Sequence, residues 1–129
     1  AIDGHAKKFS VLIEPEGRFP LTPLYDVLSA YPFMGNRNGQ LSPQKTKMAM
    51  AVIGENRHYR WQTILRHHWQ STAAHADFAS EIEGVITELV EQTPRVLDEI
   101  ANILPADFPD NVAAPILEGL GNAVTALTA

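Results

Sequence analysis

From Phe78 to Leu104 the apolar residues fall along one line of a helix. Phe78, Ile82, Val85, Ile86, Leu89 and Val90 recur at i, i+3 and i+4, and Val96, Leu97, Ile100, Ile103 and Leu104 continue the stripe. Glu81, Glu83, Glu88 and Glu91 lie mostly off it and read as a solvent-facing side. A stripe this long must be covered, so the second half of the chain is committed to helix packing. Thr93-Pro94 interrupts it. Thr93 as N-cap with Pro94 at the first helical position restarts a second helix; a Pro kink in one long helix is the alternative. Residues 104–109 end the run, and Asp110 reads as the N-cap of a last helix over about 111–127, with Pro115 early enough to be tolerated.

The first half reads differently. Residues 9–14 are rich in β-formers, Pro15-Glu16-Gly17 is a turn signal, and 18–22 can return as a second strand with Pro20 at an edge. This predicts a β-hairpin. Asp26 can cap one short helical turn, and residues 31–43, rich in Gly and Asn, read as loop. Residues 46–53 alternate as a short buried strand, and 54–57 read as a turn. Trp61, Ile64, Leu65, His68, Trp69 and Thr72 recur at helical spacing and predict a helix over about 61–76. The fold expected is α+β and mainly α: a β-hairpin near the N-terminus, then three to four helices.

At 129 residues and 14.2 kDa the chain is one domain or a piece of a larger one. We expect a single subdomain, with the hairpin and its flanks in 1–30 and the helical part in 61–129. It opens on Ala1 and reaches its most polar motif at once, which suggests a fragment of a longer protein or a processed C-terminal piece. The absence of cysteine excludes a disulfide framework, a zinc–thiolate site and a cysteine nucleophile. With no apolar run near the length of a membrane span and no signal-peptide pattern, the expected setting is cytoplasmic, with no membrane partner. The net charge of −5 argues mildly against a dedicated nucleic-acid binder, but the average hides a split. Residues 1–76 hold nine Lys/Arg, five Asp/Glu and all five His, a net +4; residues 77–129 hold Arg95 and ten acids, a net −9. The halves are expected to face different surroundings.

The first motif is the richest in chemistry. Asp3 precedes the first strand of the hairpin and Asp26 follows the returning one, and both ends of an antiparallel hairpin return to one side. Two nearby carboxylates beside His5 and Lys7 suit Mg²⁺ and phosphate: hard oxygen ligands hold the metal, a lysine meets the phosphate, and a carboxylate orients a hydroxyl. The plainer reading takes Asp3 and Asp26 as turn and cap residues, where Asp is common.

The order Asp3-Gly4-His5-Ala6-Lys7, Phe9-Ser10, a hairpin, then Leu21-Thr22-Pro23-Leu24-Tyr25-Asp26-Val27-Leu28-Ser29-Ala30-Tyr31-Pro32 resembles the C-terminal lobe of the HipA family, bacterial serine/threonine protein kinases that serve as toxins of toxin–antitoxin modules. The resemblance continues through Lys47-Met48-Ala49-Met50, Arg66-His67-His68-Trp69 and Ser71-Thr72-Ala73, and returns in 104–112. It implies the C-lobe of a protein-kinase-like fold. The activity it implies is transfer of the ATP γ-phosphoryl group to a Ser/Thr hydroxyl of a protein substrate, with Mg²⁺ and ATP bound by the full-length parent. Asp3 matches the catalytic base and Asp26 the metal-binding Asp; His5 and Lys7 match supports of the catalytic loop. The implied partners are a helix-turn-helix antitoxin and, through that complex, operator DNA.

Position 8 departs from the pattern. The family has a metal-binding Asn where this chain has Lys8, whose ammonium donates hydrogen bonds and cannot ligate a cation. Either the parent is inactive, or Lys8 neutralises phosphate charge in place of a metal, or the residue was changed to silence a toxic enzyme. The chain also lacks a Gly-rich phosphate loop: Gly35-Asn36-Arg37-Asn38-Gly39 is too short and has no strand–loop–helix setting. The isolated chain is therefore expected to bind no cofactor of its own and to be inactive as a kinase. The alternative function is a non-catalytic helical module that binds an antitoxin or operator DNA.

Three further clusters stand outside this motif. His67, His68 and His75 share a predicted helix without the i, i+4 pair a metal site wants, and read as surface or packing residues. Trp61 and Trp69 read as core before they read as stacking platforms. Lys45, Lys47, Arg57, Arg60 and Arg66 are close in sequence and read equally as a phosphate-facing patch or a solvated face.

Overall fold

A computed structural model describes residues 2–129. It is α+β: a two-strand antiparallel hairpin, β1 (Lys47–Ile53) and β2 (Arg57–Arg60), followed by three helices, α1 (Arg66–His75), α2 (Ile82–Ile103) and α3 (Asp110–Thr128). The segment before the hairpin is irregular, with short 3₁₀ turns at Ala6–Lys8, Pro15–Gly17 and Tyr31–Phe33.

The hairpin expected over 9–22 does fold back on itself. Leu12 N–H donates to Pro20 O at 2.9 Å, Glu14 N–H to Arg18 O at 3.0 Å and Thr22 N–H to Ser10 O at 2.9 Å, around one antiparallel bridge, Val11 to Leu21. Glu16 and Gly17 take left-handed φ of 68° and 77° to make the turn, which is why a glycine sits there. The ladder stays ragged, because Pro20 has no N–H to give and the apolar side chains Val11, Leu12, Ile13 and Leu21 are exposed rather than packed.

The regular hairpin lies later. β1 occupies nearly the expected residues, but Arg57, expected as the last residue of the turn, begins a second strand, and Arg57–Arg60 pair with β1 as β2. Val52 faces His58 and Ile53 faces Arg57, whereas Lys47 faces Arg60, so β1 carries extra residues between these pairs. In that stretch Ala49 N–H turns outward and donates to Ile2 O at 2.9 Å, tying the start of the chain to the sheet.

The helix expected over 61–76 is shorter. Residues 61–63 form a 3₁₀ turn and Leu65 is extended (φ −120°, ψ 167°), so α1 begins at Arg66. Trp61 thus leaves the face of Trp69 and meets Tyr31 edge-on, with ring centroids 5.0 Å apart. His68, at the third helical position, accepts the Leu65 N–H on Nδ1 at 2.9 Å, half of a capping box with imidazole in place of carboxamide.

The restart expected at Thr93-Pro94 does not occur: α2 runs through Pro94 without a break. The buried Thr93 hydroxyl donates to Leu89 O at 2.6 Å and steadies the turn before the proline. α3 begins one residue earlier than predicted, with Pro109 at the cap position and Asp110 inside the first turn.

The small core lies where these elements meet. Val52 of β1, Ala73 of α1 and Ile86 of α2 are buried, as is Ala30, just before the turn that packs on α3. Polar bonds join the layers. Ile53 N–H donates to Thr72 Oγ1 at 2.7 Å, and that hydroxyl donates onward to His68 O. Arg66 pairs with Glu83 of α2 and donates to Leu127 O in the last turn of α3 at 3.2 Å, where a cation suits the helix dipole. Arg66 therefore leaves the expected basic patch and acts as a staple between three helices. Among the described residues no helix is long and apolar enough to cross a membrane.

Candidate functional site

The ladder of the first hairpin sets the site. Its register pairs Ser10 with Thr22 and Leu12 with Pro20, and carried outward it brings Asp26 level with the 3₁₀ turn Ala6–Lys8. That turn is closed by Lys8 N–H donating to His5 O at 2.9 Å. Tyr25 fixes the two ends together. Its hydroxyl donates to Lys7 O at 3.0 Å, so the Ser10 hydroxyl, 3.2 Å away, is the donor to Tyr25. Asp26 itself takes a left-handed φ of 56°, which Asp tolerates better than most residues. That backbone turn aims its carboxylate back at the Asp3–Lys8 loop.

The two carboxylates predicted to meet do share one partner. Lys8 Nζ contacts Asp26 Oδ2 and lies 3.4 Å from Asp3 Oδ2. Its side chain is only 21% exposed, against 71% for Asp3 and 46% for Asp26, so the ammonium is the inner member of the trio. His5 Nε2 is 3.7 Å from Asp3 Oδ1, beyond hydrogen-bond range, and its Nδ1 is buried without a partner. Lys7 contributes its carbonyl to Tyr25, while its own side chain is exposed. Asp3, His5, Lys8 and Asp26 are thus brought together. Lys7 is joined to them through its backbone.

A mostly apolar cavity of about 350 Å³ opens beside the trio. Asp3, Gly4, Lys8 and Asp26 form its polar end, and Phe9, Leu24, Val27 and Leu28 its walls. This is the arrangement of a ligand site, with a few charged groups at one end of an apolar cleft.

Mg²⁺, which the resemblance implies, needs several oxygens at about 2.0–2.1 Å in near-octahedral array. Here the space between the two carboxylates is taken by an ammonium, which offers donors only and repels a second cation at contact range. The residues as they stand do not fit the metal. Among the described residues, the glycine-bearing loops have no strand–loop–helix setting that would cradle the phosphates of a nucleotide.

Tyr25 is the functional residue that motif reading passed over. Its signal was its place beside Asp26, but a role played by a hydroxyl reaching across the hairpin leaves no spacing pattern. The predicted histidine cluster is split by the fold. His67 and His68 stack with ring centroids 4.0 Å apart, and His58 of β2 joins them at 4.1 Å from His68; His75 instead bonds Ser71 O. Burial, and then the charges His67 and His58 would carry, hold the His68 imidazole below the usual histidine range. No group of three or more His, Asp or Glu among the described residues is arranged to hold a metal ion.

The loop, the returning hairpin and the Tyr-Asp segment all lie within the span of a protein-family model. The family model described as the HipA-like C-terminal domain covers residues 1–97, from the Asp3 loop through α1 and most of α2. With most of its length under that match, the chain belongs to the HipA-like family as a C-terminal domain.

Proposed function

We propose that this chain is the catalytic-loop portion of a HipA-like serine/threonine protein kinase, in which Lys8 holds the two site carboxylates in a self-neutralised state. On this reading Asp3 is the base towards a substrate hydroxyl and Asp26 the metal-binding carboxylate, as the family motif implies. One observation carries the reading: the Lys8 ammonium bridges Asp3 and Asp26. A carboxylate engaged by an ammonium is a poor acceptor for a hydroxyl proton, because taking up that proton means giving up a charge-assisted bond. The chain by itself therefore transfers no phosphoryl group. On this reading, ATP and the nucleotide lysine are supplied from outside residues 1–129.

The same observation favours a second reading, a non-catalytic module that keeps the family's interactions with an antitoxin, in the cytosol and on operator DNA, after losing its chemistry. A transfer assay with labelled ATP separates the two. The full-length parent carrying Lys8 is expected to label neither itself nor added protein, and Lys8→Asn is expected to restore transfer. Transfer with Lys8 in place overturns the self-neutralised site. A parent that stays inactive after Lys8→Asn, yet still binds its antitoxin, supports the module.

A further inference from the structure

The +4 charge of the first half is distributed unevenly. Lys8 is paired with Asp3 and Asp26, Arg18 with Glu14, and Arg66 with Glu83. Lys47, Arg57 and Arg60, all on the β1–β2 hairpin, make no ion pair among the described residues. Lys47 and Arg60 are partners across the two strands, an arrangement in which like charges repel. A sheet ordinarily relieves this with an acid on the neighbouring strand. Here the three cations instead line a cavity of about 260 Å³, together with His58, Tyr59 and Thr63, and no carboxylate lines it.

We propose that this hairpin cavity is a binding site for a phosphate monoester. Two guanidinium forks and an ammonium offer many donors to one terminal phosphate, and Arg forks match phosphate oxygens in bidentate fashion. Thr63 donates its hydroxyl to Arg60 O at 2.9 Å and so fixes the backbone from which one fork projects. All three cations line one small cavity, which fits a single dianionic group better than the evenly spaced diesters of a nucleic acid. The −9 charge of the second half also disfavours a long polyanion. The site is separate from the Asp3–Asp26 trio and does not depend on the kinase reading.

The test is fluorescence anisotropy with a labelled peptide carrying one phosphoserine, its unphosphorylated twin, and inorganic phosphate as competitor. The phosphopeptide is expected to bind at least about tenfold more tightly than its twin and to be displaced by phosphate. Tighter binding of the peptide than of phosphate points to a phosphorylated protein as the source; equal binding points to a small free monoester, and supports the site equally. Arg57→Gln with Arg60→Gln, and separately Lys47→Gln, are expected to weaken binding about tenfold with Tm unchanged or raised, since cross-strand repulsion falls. Equal binding of the two peptides, or binding unmoved by these substitutions, overturns the site. A single-stranded oligonucleotide that outcompetes the phosphopeptide at equal salt overturns it in favour of a nucleic-acid surface.

Discussion

Gly119 in α3 offers a sharp test of how the Tyr31–Phe33 turn is seated. The 3₁₀ turn Tyr31–Phe33 packs on α3, and a Cβ at Gly119 would run into the Tyr31 ring at Cδ2, Cε2 and Cζ. That ring cannot swing freely, because Trp61 meets it edge-on. Two glycine positions in the same helix therefore differ in one respect. At Gly121 the nearest atom to a new Cβ is Leu97 Cδ1, at an ordinary 3.9 Å. Alanine gains about 1 kcal/mol of helix propensity over glycine at either position. At Gly119 this is offset by overpacking of about 1–3 kcal/mol. The propensity gain cancels in the comparison, so Gly119→Ala should be less stable than Gly121→Ala by about 1–3 kcal/mol. Urea unfolding followed by circular dichroism reads this as a lower midpoint at equal slope. In a Tyr31→Ala background the gap should close, since the clashing ring is gone. Equal midpoints for the two alanine variants with Tyr31 intact would refute the packing described.

Stability is also expected to fall on the acid side of neutrality, through two groups that one urea-midpoint series against pH resolves. His68 is held below its ordinary value of 6.5, so the unfolded chain takes up its proton first: the contribution is complete above about pH 6.5 and is lost as pH falls through the lower folded value. Protonation of Nδ1 would also end its bond from Leu65 N–H. Replacing a neighbouring charge by His67→Gln should make this loss shallower, and an unchanged slope would remove the imidazole cluster as its cause. Glu83, lowered by the Gln70 bond and by Arg66, adds a second loss only below about pH 4.5, which Glu83→Gln should abolish.

Much of this was legible in the residues. The apolar stripe from Ile82 onward located α2, and Asp110 with the Pro-rich stretch before it located the start of α3 to within one residue. Pro94 misled because a proline weakens a helix locally, whereas the contacts of α2 with α1 and α3, with Ile86 buried among them, hold the helix by packing that the local signal does not register. β2 was missed because four residues, Arg57–Arg60, are too few to show a period, and their pairing is decided by β1. The helix over 61–76 was drawn too long because Trp61 and Ile64 fall at helical spacing by coincidence. Trp61 meets the Tyr31 ring instead, and residues 61–63 form a separate 3₁₀ turn before α1. At the site, hairpin geometry foretold that Asp3 and Asp26 share one end. That Lys8 departs from the family pattern was visible too, but that its ammonium reaches both carboxylates depends on the 3₁₀ turn and on the left-handed Asp26 backbone, neither of which has a sequence signature.

Lys8 takes the space between the two aspartates that a metal ion would need. Calorimetric titration of Mg²⁺ into the chain tests it directly, with Lys8→Asn as the partner experiment. Little Mg²⁺ binding is expected with Lys8 in place, and a gain of at least about tenfold in affinity on Lys8→Asn, because a cation at contact range is removed and an oxygen ligand supplied. That gain should vanish again when Asp26→Asn is added. Equal Mg²⁺ affinity with Lys8 and with Lys8→Asn would contradict it.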